Sequence, residues 1–259
     1  MIKIEFAQKT HQGQTRDHNE DSIFSDAEMG LWIVADGMGG HAGGEVASCI
    51  VCESIPEMIK EGHSLKESIA TTHHLIKAAP QNGRGIKGMG STVVAMKLDE
   101  TGYQIAWVGD SRAYLWDGQL HQLSTDQSFV QKLIEAKAIT PEQARNHPKK
   151  NLILQSLGAS QLPTIQVDSL RGDFKKESII LLCSDGLNNE LTDDEIAALI
   201  DPFQPLQSVA KNLVDAANKA GGNDNISVIL IKTLMDSQDT KGKSGYLDRV
   251  KSILSKKIT

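Results

Sequence analysis

The sequence predicts an α+β protein: a four-layer αββα sandwich of two mostly antiparallel sheets packed face to face and flanked by helices. Three observations point there. Strand-like segments fall into two groups, each followed by a pair of helical segments, and a last strand follows the second pair. Connections within the groups are Gly, Asp and Ser turns, too short for the crossovers that parallel strands need. The 259 residues are 39% hydrophobic, which is enough for a sizeable core.

Near the N-terminus, IKIEF and DSIFS alternate and GLWIVA is a short apolar run ending at Asp36-Gly37, so residues 1 to 35 read as strands. From about Gly43 to Glu61 the apolar residues Ala47, Ile50, Val51, Ile55, Met58 and Ile59 follow helical spacing. Cys49 and Cys52 lie in that stretch and read as small core-facing residues, because no second Cys or Cys/His pair stands at ligand spacing. A second helix is expected from Ser64 to Ala79, before the breaker cluster PQNGRGIKG. STVVAMKL, YQIAWVGD and RAYLWD follow as three strands, joined by DETG and GDS in expected antiparallel hairpins.

Residues 126 to 165 break this rhythm with a helical FVQKLIEAKA. Thr140-Pro141-Glu142-Gln143 then combines an N-cap, a proline at the first helical position and a capping-box glutamine, so the region reads as an inserted helical flap. Next come a strand in ESIILLCSDG, a helix capped by Thr192 and Glu195, the amphipathic helix SVAKNLVDAANKA and the strand ISVILIK. Residues 1–234 are expected to form one domain and the polar stretch 235–246 a linker. Residues 247–259 should form a short basic amphipathic helix with Leu247, Val250, Leu254 and Ile258 on one face. Such a tail can dock on its own domain, fray, or touch a partner or a membrane surface.

With 27 Lys and Arg against 33 Asp and Glu, the net charge of −6 gives no general attraction to nucleic acid or anionic lipid. The longest apolar runs, such as IILLC, are too short to span a bilayer, and MIKIEFAQKT lacks the apolar core of a signal peptide. The chain is expected to be cytoplasmic and monomeric. Its three cysteines make no disulfide framework.

The chemistry is carried by a repeated arrangement in which an apolar strand meets an Asp close to a Gly: LWIVADG at Asp36, IAWVGD at Asp110, IILLCSDG at Asp185 and GGNDNISVILI at Asp224. Glu20 and Asp21 precede the strand SIFS. If these strand ends meet, several carboxylates share one small volume, where each raises the others' pKa unless cations hold them ionised. Carboxylates without His or Cys ligands are hard oxygen donors and select Mg²⁺ or Mn²⁺. Two such ions sharing a bridging Asp suit metal-assisted phosphoester hydrolysis. Arg16, four residues before Glu20, offers a bidentate clamp for a phosphate.

Competing motifs fail on context. Gly37, Gly39 and Ala42 fit the dinucleotide fingerprint G-x-G-x-x-A, but Asp36 would repel a pyrophosphate and no βαβ unit follows. Residues 17 to 28 match EF-hand spacings, yet Ser22 replaces the loop glycine and the flanks read as strands. No P-loop occurs, and no Cys has an Arg six positions later, which excludes the cysteine-nucleophile phosphatase pattern.

Taken together, RDHNED (16–21), VADGMGGHAGGEVAS (34–48), GMGSTVVA (88–95), WVGDSRAYL (107–115), LLCSDGLNNELTDDEI (181–196) and GGNDNISVILI (221–231) resemble the metal-dependent Ser/Thr protein phosphatases of the protein phosphatase 2C class, in their bacterial form. The resemblance implies that Asp36 bridges two metals, Mn²⁺ or Mg²⁺. Glu20 and the Gly37 carbonyl would complete one site, and Asp185 and Asp224 the other. Asp110, helped by Asp185, would serve a third and weaker metal, and Arg16 would bind the phosphate. The nucleophile would be a water bridging the metals, with no phosphoenzyme.

Three departures stand out. Met38 occupies the place where animal members carry a general-acid His, and either His41 or a metal-bound water would protonate the leaving alkoxide instead. Gln127 replaces a frequent His at the flap entrance, and the tail from 235 lies outside the family core. Arg145, His147, Lys149 and Lys150 form a basic cluster in the flap that would steer acidic phosphopeptides. The expected partners are phosphorylated Ser/Thr proteins and a cognate kinase. The alternatives are a phosphatase-like binding or scaffold module, which requires a broken ligand that is not seen, and a small-molecule phosphomonoesterase.

Overall fold

A computed structural model of the chain describes residues 3–40, 42–99, 102–159, 161–174 and 178–234. His41 and the expected linker and helix at 235–259 lie outside the described residues. In chain order the elements are β1 (Lys3–His11), β2 (Asp21–Asp26), β3 (Leu31–Met38), α1 (Ala42–Lys60), α2 (Leu65–Ala78), β4 (Gly90–Ser91), β5 (Val93–Asp99) and β6 (Gly102–Val108). They continue with β7 (Arg112–Trp116), β8 (Leu120–Gln122), α3 (Phe129–Glu135), α4 (Pro141–Arg145), β9 (Asp168–Gly172), β10 (Ile179–Cys183), α5 (Asp185–Asn188), α6 (Asp193–Leu199), α7 (Leu206–Ala220) and β11 (Ile226–Leu234).

One sheet has the order β1-β11-β10-β7-β8 and the other β2-β3-β5-β6-β9, with β4 paired to β3. Every strand pairing among the described residues is antiparallel. Between the sheets, Trp32, Val34, Val94, Met96, Ile105, Ile180, Leu182, Ile229 and Ile231 form a dry layer. The opposite faces of the same strands meet helices. Ile33 and Ala35 pack with Val51, Ile55, Ile69 and Ile76 of α1 and α2. Leu181 and Leu230 pack with Leu187, Ile196, Val209 and Leu213 of α5 to α7. Strands buried on both faces lose the polar alternation of a surface strand, which is why LWIVA and IILLC read as continuous apolar runs. Each such Leu or Ile contributes about 1.5–3 kcal/mol by leaving water.

The caps expected at Thr192 and Thr140 are both present as reciprocal capping boxes, and Ser64 makes a third at the start of α2. One expectation fails. The turn at Gly109-Asp110-Ser111 is not a hairpin: β6 pairs with β5 and β9, whereas β7 pairs with β10 and β8. The turn therefore carries the chain from one sheet to the other. Gly109 has φ +105°, and a Cβ there would lie 2.7 Å from Thr92 Cγ2, so only glycine makes this crossing without strain.

Candidate active site

Antiparallel pairing brings the acids together. The start of β2 lies beside the end of β3, with Asp21 opposite Asp36, and the start of β11 lies beside the end of β10. Glu20, Asp21, Asp36, Asp185 and Asp224 thus fall at one end of the sandwich, and the Gly109-Asp110 crossing occurs at that end. Two glycines allow the approach. A Cβ on Gly37 would sit 2.1 Å from the Gly44 carbonyl oxygen, and one on Gly44 would sit 2.7 Å from Glu20 Cδ. The first turn of α1 therefore packs directly on Glu20 and on the Asp36-Gly37 backbone.

A hydrogen-bonded frame fixes these loops. Thr92 N–H donates to the Asp36 carbonyl (2.8 Å), and Asp36 N–H donates to Thr92 Oγ1 (3.1 Å). The same hydroxyl pairs with Ser111 Oγ at 2.7 Å, which ties Asp36 to the Asp110 turn. Buried Asn225 accepts from Glu20 N–H (2.8 Å) and donates to the Gln12 and His18 carbonyls (both 2.8 Å), so it clasps the Arg16–Glu20 loop to the loop of Asp224. Asn189 donates to Asp185 Oδ2 (2.8 Å), and Ser184 Oγ donates to Asp21 Oδ2 (2.7 Å).

Electrostatics show how costly the cluster is. Burial, reinforced by its carboxylate neighbours Asp21, Asp185, Asp110 and Asp224, holds the Asp36 carboxyl well above its ordinary range. Asp110 is likewise held well above by burial and by Asp185 and Asp126. Burial and neighbouring acids push Asp185 up to about 6 and Asp21 up to about 7, and burial also raises Glu20. Asp36 and Asp185 are close enough to bear on each other's ionisation, and charge crowded in this way is relieved by a proton or a cation. Glu20 Oε1, Asp21 Oδ1 and Asp185 Oδ1 are buried with no hydrogen-bond partner. Oxygen atoms left in that state, on an oxygen-only donor set, fit a hard divalent cation.

Among the described residues, the predicted acids gather at this end of the sandwich with Arg16 beside them. Arg16, half-exposed at the rim, donates from Nη2 to Asp224 Oδ2 at 2.7 Å, so it holds an expected metal ligand. As placed, no three His, Cys, Asp or Glu side chains among the described residues form a grouping that could hold a metal ion. Of these acids, Asp224 is paired with Arg16, and Glu20, Asp21 and Asp185 each keep a buried oxygen without a hydrogen-bond partner. Reading the sequence left Asp21 without a role and missed Asn225, Asn189 and Thr92. The Asp21–Asp36 register was the missing signal, and the polar partners show themselves only once the loops are in place.

Beside the acids, a cleft of about 550 Å³ opens under α3 and α4, lined among others by Asp110, Asp185, Arg112, Arg145 and Lys150. Lys149 points elsewhere, its Nζ lying 5.2 Å above the Phe129 ring. The thiols take no part: Cys49, Cys52 and Cys183 are free, and burial pushes Cys183 up to about 12.

Buried oxygen donors that demand cations, with a guanidinium at their rim, are the equipment of metal-dependent phosphoester hydrolysis. Residues 8–229 match the family model described as protein phosphatase 2C, and the chain belongs to that family of metal-dependent Ser/Thr protein phosphatases. It is 34% identical to the serine/threonine phosphatase Stp of Listeria monocytogenes, over 86% of this chain and 94% of that one. It is 33% identical to the protein phosphatase PhpP of Streptococcus pneumoniae, over 92% of this chain and 100% of that one. Its fold superposes with a TM-score of 0.78 on the catalytic domain of the phosphatase PstP in complex with two manganese ions, at 29% identity over 91% of this chain and 100% of that domain.

Proposed function

We propose that the acid end of this sandwich hydrolyses phosphoserine and phosphothreonine in proteins with two divalent ions, Mn²⁺ or Mg²⁺, held by the residues the sequence singled out. Asp36 would serve both ions, with Glu20 and the Gly37 carbonyl holding one and Asp185 and Asp224 the other. Asp110 and Asp185 would hold a third, weaker ion. The ions, when bound, supply water activation and neutralise the phosphoryl oxygens. The observation that carries this reading is the set of three buried, unpartnered carboxylate oxygens on Glu20, Asp21 and Asp185.

The chain's own residues do the rest. Arg16 has five N–H donors, so its contact with Asp224 leaves others to face an incoming phosphate at the rim. Asn225 and Asn189 hold Glu20 and Asp185 in position. His41, on sequence grounds, is the candidate donor of a proton to the departing serine or threonine oxygen. The phosphatase reading also gives the chain a cytoplasmic place opposite a Ser/Thr kinase, as a monomer. The support is family membership. Among the described residues no helix is long and apolar enough to cross a membrane.

The test is hydrolysis of phosphothreonine, phosphoserine and phosphotyrosine peptides and an aryl phosphate with Mn²⁺ or Mg²⁺, against EDTA and Asp185→Asn. Turnover of phosphothreonine that needs metal and disappears in the variant supports the reading. Turnover of the aryl phosphate alone points to a small-molecule esterase, and none with either metal points to a binding module.

A further inference from the structure

The root of the flap is joined to the active site at one residue. Gln127 is buried, and its main-chain N–H donates to the Gly109 carbonyl at 2.9 Å. Its side-chain Oε1 accepts from Gly109 N–H, also at 2.9 Å, so both polar groups of Gly109 end on Gln127. Nε2 donates to Asp168 Oδ2 at 2.8 Å, and the Gln127 carbonyl accepts from Leu154 N–H at 2.7 Å, where the flap returns. The neighbouring Asp126 forms a bidentate pair with Arg112, at 2.8 and 2.7 Å. Asp110 is therefore bracketed: Gly109 before it is held by Gln127 and Arg112 after it by Asp126, two consecutive residues at the point where the flap begins.

The bracket acts on a turn that needs it. Gly109 sits at φ +105° where the chain leaves one sheet for the other, so no ladder of either sheet fixes Asp110. From these contacts we infer that Gln127 is a positioning residue for Asp110, transmitting the placement of the flap root to that carboxylate and to the cleft it lines. The inference rests on the phosphatase reading for its consequence in turnover. The clip itself is geometric.

The test uses the full chain and a double-mutant cycle. Gln127→Leu keeps the bulk, strands Gly109 N–H without its acceptor and should lower kcat for a phosphothreonine peptide about tenfold. In an Asp110→Asn background the same change should cost less than about twofold, because its route to the chemistry is already gone. A second pair guards against misfolding. Gln127→Glu keeps the acceptor for Gly109 but sets a carboxylate against Asp168. It should lose activity alone and recover it with Asp168→Asn, which turns that contact back into a hydrogen bond.

Equal losses in both Asp110 backgrounds, or no recovery in the paired variant, would overturn the inference. Amide exchange at residues 109–111 reads the clip without turnover: Gln127→Leu should speed it, and unchanged exchange would also overturn the inference. If the parent hydrolyses no phosphopeptide, the phosphatase reading falls, and the exchange result still decides the clip.

Discussion

Within β3 the chain passes from Trp32 and Val34, both fully buried in the layer between the sheets, to Asp36 on the same face two residues later. A like change from apolar to acidic occurs where β10 gives way to α5, three residues from Leu182 to Asp185. The middle of the sandwich is dry, apolar and matched on both sides. Its end is a ring of acids that burial and mutual repulsion make unfavourable. One region stabilises the fold. The other draws on that stability to hold carboxylates where no isolated loop would keep them.

The largest effect that separates the two regions should come from Asp36→Asn. It should lower kcat on a phosphothreonine peptide by at least about a thousandfold. In EDTA the same variant should melt at a higher temperature than the parent, because a repelling buried charge is gone. A lower melting temperature would mean that the acid end stabilises the metal-free fold. Leu181→Ala, in the helix-facing core, should do the reverse. It should cost about 3 kcal/mol in a denaturant titration while the folded fraction keeps its kcat/KM. A comparable loss of turnover would show that the two regions are not separable.

A smaller effect sharpens the boundary at the flap. The basic cluster read from the sequence divides in the structure: Lys150 lines the cleft beside Asp110 and Asp185, whereas Lys149 covers Phe129. Lys150→Glu should raise KM for an acidic phosphopeptide about fivefold and leave an aryl phosphate unaffected. Equal changes on both substrates would remove the steering role.

The apolar middle was legible because both-face burial writes itself as short apolar runs, and the acids were legible because glycine marks each sharp junction. What escaped depended on partners distant in sequence. β9, Asp168–Gly172, is a polar strand that takes its identity from pairing with β6, and β8 has only three residues. Gly109-Asp110-Ser111 carries hairpin chemistry yet changes sheets, because β9 takes the free edge of β6 and β10 pairs with β7. Asp21 gains its place only through register with Asp36, and the contact between Arg16 and Asp224 spans more than two hundred residues.

The central claim is that the acid end is built for divalent cations, and thermal melting of the EDTA-treated chain on adding Mn²⁺ tests it most directly. At about a hundred times the dissociation constant, an ion bound only by the folded state adds about 2.7 kcal/mol, or roughly 5–10 °C in Tm for a domain of this size. The account predicts that rise for the parent and its loss in Asp36→Asn. An equal rise in both, or none in the parent, would contradict it.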